Sequence, residues 1–290
     1  MKVAVIGANG QLGSEIVATF AGNGAAVRAL DHSHLEVSSL ESVTRCLSEL
    51  EPGLVINTAA YHHVEKCEAD AALAFAINGL GARNVAQVSQ SLGAKLIHIS
   101  TDYVFDGNKR VPYTEEDLAA PLNAYGNTKL AGEFFVRSSN PRHFVVRVSA
   151  IYGLNPCRAK GGLNFVELML KLSREREELR VVDDEFVTPT TVAEIAKQLV
   201  VLSETSAYGL YHATAEGSCS WHEFARAIFD LTGTKVRLER ARPGDFPAKV
   251  PRPKYSVLEN SALKARGLNL FTNWKNGLEN YLAQRDGSKS

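Results

Sequence analysis

A tyrosine and a lysine four residues apart, Tyr125 and Lys129 in the segment YGNTK, are the pair in this sequence best suited to proton chemistry. On a helix that spacing puts phenol and ammonium on one face. A tyrosine phenol ordinarily ionises near about pH 10, and an adjacent ammonium favours the phenolate and lowers that value. A phenol tuned in this way can give its proton to a carbonyl oxygen as hydride arrives at the carbon. Ser100 and Thr101 close the strand-like run AKLIHIS ahead of this pair, where the Thr101 hydroxyl is placed to hold the same oxygen. YxxxK alone occurs by chance on many helices, so its meaning depends on the elements that carry it.

Hydride chemistry belongs to a nicotinamide, and the sequence opens with a turn suited to a dinucleotide. GANGQLG follows the first strand-like run, KVAVI, and leads into a helical pattern. Gly7 permits a tight turn, Gly10 lets backbone approach a pyrophosphate, and Gly13 allows close packing of helix on strand. Free amides and the dipole at the helix start attract the phosphates. Asp31 ends the second strand, where an acid accepts from the adenosine ribose hydroxyls. Arg28, His32 and His34 lie close enough in sequence to meet a 2′-phosphate, which leaves NADH and NADPH both open. Asn57, Ala59 and Ala60 close a third strand, GLVINTAA, with small residues at the edge where ligands bind in such sheets.

Strand and helix patterns alternate through the first half, which predicts an α/β fold of Rossmann type, a doubly wound parallel sheet with right-handed crossovers. We read 1–153 as the dinucleotide-binding domain, with 188–215 returning to it through a helix and the strand GLYHAT. A smaller substrate lobe is assigned to 154–187 and 216–286, and 287–290 reads as a disordered tail. Ser220 followed by Glu223 has the pattern of a capping box opening a helix. The chain has 290 residues, 45% of them hydrophobic, and Lys+Arg and Asp+Glu balance at 32 each. No basic field draws it to nucleic acid or anionic lipid, and no stretch reaches the roughly 18 apolar residues of a membrane helix. Cys46, Cys67, Cys157 and Cys219 are scattered, as expected of reduced thiols in the cytoplasm.

The motifs GANGQLG, VINTAAY, STDYVFDG (100–107), YGNTK, NFVELMLKL (164–172), VVDDEFVTPT (181–190), YHATAEGSCSWHEFARAIF (211–229) and RPKYSVLEN (252–260) together resemble the extended short-chain dehydrogenases. More narrowly, they resemble the dTDP-4-dehydrorhamnose reductase family over nearly the whole chain. The resemblance implies that Thr101, Tyr125 and Lys129 are the catalytic trio and that Lys129 touches the nicotinamide ribose. It also implies that Gln11 and Leu12 lie on the pyrophosphate, that Ala59, Ala60 and Tyr61 lie along the cofactor, and that Thr101, Asp102 and Tyr125 face the sugar. The implied substrate is a nucleotide-linked 4-keto-6-deoxysugar. Four positions depart from the family pattern: Ala150 stands where a Trp is usual, His62-His63 replace a small pair, Val187 replaces Gly, and Lys254 replaces a small residue. The expected trio is intact, and the departures fall on the expected sugar pocket.

Glu15 resembles an acid the family can use with Mg2+ at a contact between two copies in a homodimer; as a surface side chain it reads more simply as an ion-pairing glutamate. His62, His63, Glu65, Cys67 and Glu68 fit no common zinc spacing, so no metal site is assigned. Cys67 has only Lys66 to activate it, and His98 reads as a packed core residue. SREREELR (173–180) reads as a solvated helix end whose arginines are able to meet a phosphate. Two other functions suit the same architecture: a cofactor-binding regulatory subunit like the β subunit of methionine adenosyltransferase, and a nucleotide-sugar epimerase or dehydratase.

Overall fold

In the computed structural model, the alternating runs form a parallel sheet covered by helices on both faces. The structure describes residues 1–156, 162–242, 245–246 and 249–287. The dinucleotide half runs β1 (Lys2–Ile6), α1 (Gln11–Gly22), β2 (Ala26–Leu30), α2 (Leu40–Leu50), β3 (Leu54–Asn57), α3 (Val64–Ala69), α4 (Ala71–Phe75), a π-helical segment (Ala76–Gly81), α5 (Ala82–Ser91), β4 (Lys95–Thr101), α6 (Ala124–Ser139) and β5 (His143–Val148). The rest runs β6 (Ile151–Tyr152), α7 (Phe165–Glu175), β7 (Glu178–Val181), β8 (Phe186–Val187), β9 (Thr190–Thr191), α8 (Val192–Glu204), β10 (Gly209–His212), β11 (Cys219–Ser220), α9 (Trp221–Thr232), β12 (Arg237–Arg240), α10 (Ser261–Ala265) and α11 (Trp274–Gly287).

Six strands make the main sheet in the order β10-β5-β4-β3-β1-β2, with every pairing parallel. The connections from β1 and from β2 lead to opposite sides of β1, which opens a crevice beyond the carboxyl ends of β1 and β3, the usual ligand position in such sheets. His98 pairs with Asn57, the last residue of β3, so Ile99, Ser100 and Thr101 carry β4 past its neighbour.

Alternating residues of one strand serve opposite cores, which is why the strands read as near-continuous apolar runs. Val3 and Val5 join Ile16, Ile97, Phe144, Ile195 and Leu199 under α1 and α8. Ala4 and Ile6 join Val43, Val55, Val85, Leu96 and Val136 under α2, α5 and α6. A third cluster, with Tyr152, Val166, Leu179, Phe224, Ile228, Trp274 and Leu278, sits between α7, α9 and α11. The capping box at α9 is present: Glu223 N–H donates to Ser220 Oγ at 3.1 Å and Ser220 N–H to Glu223 Oε2 at 2.8 Å.

This third core is tied back to the sheet edge. The Phe186 amide donates to Lys254 O at 2.8 Å, and the Ser256 amide donates to Phe186 O at 2.9 Å. Asn123 Nδ2, at the start of α6, donates to Pro251 O at 2.9 Å. The helical path from β3 to β4 is broken, because Asp70 ends α3 and its carboxylate caps a new helix through the Leu73 amide at 2.9 Å. One reading needs correction. Gly287 closes α11 rather than opening the tail, while 288–290, Cys157, Pro243 and Pro247 lie outside the described residues. Among the described residues no helix is long and apolar enough to cross a membrane.

Candidate active site

Gly7 adopts φ +78°, and a Cβ there would lie 2.6 Å from Thr58 Oγ1 and 2.9 Å from the Ala59 amide. The tight turn after β1 therefore exists because Gly7 lets the loop after β3 close against it. At Gly10 an added Cβ would meet only Gly7 O, at 3.3 Å, so its outer face is open. Gly13 packs on the turn itself, with Gly7 O and Ala8 nearest, and not on the strand as expected. No side chain caps α1, so its first amides are left to meet a ligand. The Gln11 and Leu12 side chains are buried. Gln11 Nε2 donates to Gly153 O and Asn155 O at 3.3 and 3.0 Å, so these two residues offer a phosphate their backbone only.

Asp31 follows β2. Its Oδ1 accepts from the Ser33 amide at 3.0 Å and the Ser33 hydroxyl at 2.6 Å, and pairs with His34 Nδ1 at 2.7 Å. These bonds, led by the Ser33 hydroxyl, hold its carboxyl down at about 2. The acid is thus both a turn former and a fixed negative charge at the edge of the crevice. Ala59, Ala60 and Tyr61 line the loop after β3. That loop is held by a residue the sequence reading did not single out, Asn78 of the π-helical segment. Asn78 Oδ1 accepts from the Tyr61 amide at 2.8 Å, and its Nδ2 donates to Tyr61 O at 3.0 Å and Thr128 Oγ1 at 3.1 Å. One side chain therefore joins the loop to the helix bearing Tyr125 and Lys129. Such π-helical turns often mark functional sites.

Asn123 starts α6 by accepting from the Gly126 amide at 2.9 Å. Gly126 then allows a close approach: a Cβ there would lie 2.2 Å from Tyr103 O. The first turn of α6 thus lies against the short turn after Thr101, and the Tyr103 and Tyr125 rings meet edge to face at 5.8 Å. Thr101 comes within hydrogen-bonding reach of the Tyr125 phenol. Thr101 Oγ1 donates to Asp102 Oδ1 at 3.0 Å and Ser149 Oγ to Asp102 Oδ2 at 2.8 Å, with the Ser256 hydroxyl as a further partner. Burial pushes the Asp102 carboxyl up against these hydroxyls.

The electrostatics differ from the expectation that Lys129 lowers the Tyr125 pKa. Burial pushes the phenol well above its ordinary range, Asp102 and Tyr103 add to the rise, and the Thr101 hydroxyl opposes it. Lys129 has turned away: its Nζ donates to Ile99 O at 2.6 Å. Burial lowers this ammonium to about 8, with Glu133 pulling the other way. Desolvation outweighs a charge that is directed elsewhere.

Ala150 lies half-buried beside Ser149, at φ +43°. Val187 is buried opposite Cys219, and Lys254 pairs with Asp184 at the surface. Among the described residues no three His, Cys, Asp or Glu side chains gather as metal ligands, and Glu15 makes no ion pair. Cys67 donates to Tyr61 O at 3.0 Å, and burial raises its thiol to about 11, which makes it inert near neutrality. His98 is buried with its Nδ1 3.3 Å from Asn57 Nδ2. Arg180 pairs with Glu178 and Asp245.

The profile described as RmlD substrate binding domain matches residues 1–286. A dTDP-4-dehydrorhamnose reductase from Streptomyces griseus is 38% identical over 287 residues, which cover 94% of this chain and 90% of the relative. A solved dTDP-4-dehydrorhamnose reductase from Clostridium acetobutylicum superposes with a TM-score of 0.94 at 40% identity, covering 99% of this chain and all of that one. Another, from Bacillus anthracis in complex with NADP, gives a TM-score of 0.93 at 39% identity, covering 98% of this chain and 99% of the other.

Proposed function

The chain belongs to the RmlD substrate binding domain family, that of the dTDP-4-dehydrorhamnose reductases, and on that premise we propose that it reduces the 4-keto group of a dTDP-linked 6-deoxysugar with NADPH or NADH. The observation that carries this reading is Thr101, at the end of β4, within reach of the Tyr125 phenol, with Lys129 one turn further along α6 and bonded to the Ile99 carbonyl. The residues fit the dinucleotide: Gly10 leaves open backbone at the turn, and Asp31 keeps a charged carboxylate for the adenosine ribose. When bound, the dinucleotide supplies the hydride.

The chain's own residues supply the proton and the positioning. Thr101 and Tyr125 grip the carbonyl oxygen, and Tyr125 gives it the proton. A phenol held protonated by burial begins the step in the form needed of an acid. Lys129, anchored on the Ile99 carbonyl, holds the nicotinamide ribose. Asp102, anchored by Thr101, Ser149 and Ser256, faces the sugar. The free thiols Cys46, Cys67 and Cys219 suit a cytoplasmic setting. The test is ketone-dependent oxidation of NADPH by purified protein, with the reduced dTDP-sugar identified by mass spectrometry. A protein that binds NADPH yet reduces none of a panel of dTDP-4-keto sugars would overturn the reading.

Gly10→Val is expected to abolish NADPH binding while leaving the melting temperature nearly unchanged, since only one atom crowds the new Cβ. Fluorescence titration checks it; undiminished affinity would move the pyrophosphate elsewhere. Ala150→Trp is expected to lower KM for dTDP-4-keto-rhamnose by up to about tenfold, as an aromatic contact commonly contributes about 0.5–1.5 kcal/mol beyond its area. A rise in KM for this sugar, or loss of turnover, would show that the native sugar fills the space beside Ala150.

A further inference from the structure

Behind the reacting groups lies a second cluster of charge. Glu133, one helical turn after Lys129, is buried along with Arg147. Arg147 Nε donates to Glu133 Oε1 at 2.8 Å and Nη2 to Oε2 at 2.7 Å, and Ser100 Oγ donates to Oε1 at 2.5 Å. Ser100 stands between Ile99, whose carbonyl receives Lys129, and Thr101. The guanidinium is covered by the Phe105 ring at 5.1 Å. Removing both charges from water is expensive, and a buried pair of this kind seldom adds net stability. Its position suggests another use.

We propose that Glu133 is a positioning residue for the reduction: its carboxylate keeps the buried Lys129 in its ammonium form, while its bond to Ser100 fixes the end of β4 that presents Thr101 and the Ile99 carbonyl. The proposal rests on the reductase reading for its purpose, but the charge coupling is measurable without turnover. The groups facing Lys129 are few. Tyr125 lies a turn earlier on α6 and is neutral. His98 on β4 is buried and held neutral, with Lys129 contributing to that. Glu133 is the carboxylate acting on Lys129, and Arg147 stands behind it on β5. Ser100 and Arg147 in turn satisfy both Glu133 oxygens with hydrogen bonds and opposite charge, as a carboxylate taken from water needs.

The test is an NMR titration of isotope-labelled lysine side chains, with the Lys129 signal assigned by its loss in Lys129→Met. In Glu133→Gln the Lys129 pKa is expected to fall by about one unit or more, the usual effect of removing an opposite charge at close range. In Glu133→Gln/Arg147→Met it should fall in the same direction by less, because the more distant cation goes too. Ser100→Ala keeps the carboxylate and should leave the Lys129 titration close to wild type, while lowering kcat for the 4-keto sugar. If Glu133→Gln does not fold, the double variant carries the measurement, since it leaves no buried guanidinium without its carboxylate. An unchanged Lys129 titration in the folded Glu133 variants would overturn the electrostatic role, and undiminished kcat in Ser100→Ala would overturn the positioning role. A wild type that binds NADPH but reduces no 4-keto sugar would instead sink the reductase reading and leave the titration result standing.

Discussion

Tyr125→Phe is expected to lower kcat by about 100- to 10,000-fold, the span that general acid catalysis usually supplies, while NADPH affinity stays nearly unchanged. The substitution removes one oxygen and keeps the ring. Its edge-to-face contact with Tyr103 therefore survives, and so do the Asn123 cap and the Gly126 approach that place the first turn of α6. What is lost is the proton donor facing Thr101. Because burial holds this phenol protonated through neutral pH, wild-type kcat should show no limb from tyrosine ionisation near neutrality. Stopped-flow measurement of a single turnover would separate the proton-coupled step from product release. A variant that keeps most of its single-turnover rate would exclude Tyr125 as the acid.

The sheet and the ligand edge were legible because their signals are local. A glycine turn between a five-residue strand and a helix, and apolar runs too continuous for a one-sided sheet, lead to a parallel α/β fold and to the ends of its strands. The Tyr125–Lys129 spacing was readable for the same reason. The relations made across the fold were not readable. Asn78 holds the loop at Tyr61 from a π-helical turn that no periodicity signals, and Ser256 reaches Asp102 from the far end of the chain. Asn123 was findable, since an Asn directly before a helical run is an ordinary N-cap signal. The tyrosine pKa was misread because the spacing gives proximity but not burial. Nor does it tell that Lys129 donates to the Ile99 carbonyl.

Lys129→Met is expected to differ from Tyr125→Phe in three ways that follow from one buried charge. Cofactor affinity should fall together with kcat, because the ammonium is assigned to the nicotinamide ribose, whose placement sets the hydride against the ketone. The pH profile should change as well. Lys129 is held at about 8 by burial, so wild-type kcat/KM should decline as pH rises through about 8 and the ammonium is lost, and the methionine variant should lack that limb. Stability should move the opposite way to activity. An ordinary lysine ionises at 10.5, and this one at about 8, so between those values the unfolded chain holds the extra proton and stability rises with pH. Below about 8 the fold carries the full cost of the buried ammonium, on the order of 3 kcal/mol at 1.36 kcal/mol per unit, and methionine removes it. Lys129→Met should therefore melt higher than wild type at pH 7, less so at pH 10, while binding NADPH more weakly. A variant that melts lower at pH 7 and binds cofactor normally would mean that Lys129 is a structural residue, held for its bond to Ile99, and that the ribose contact belongs to another group.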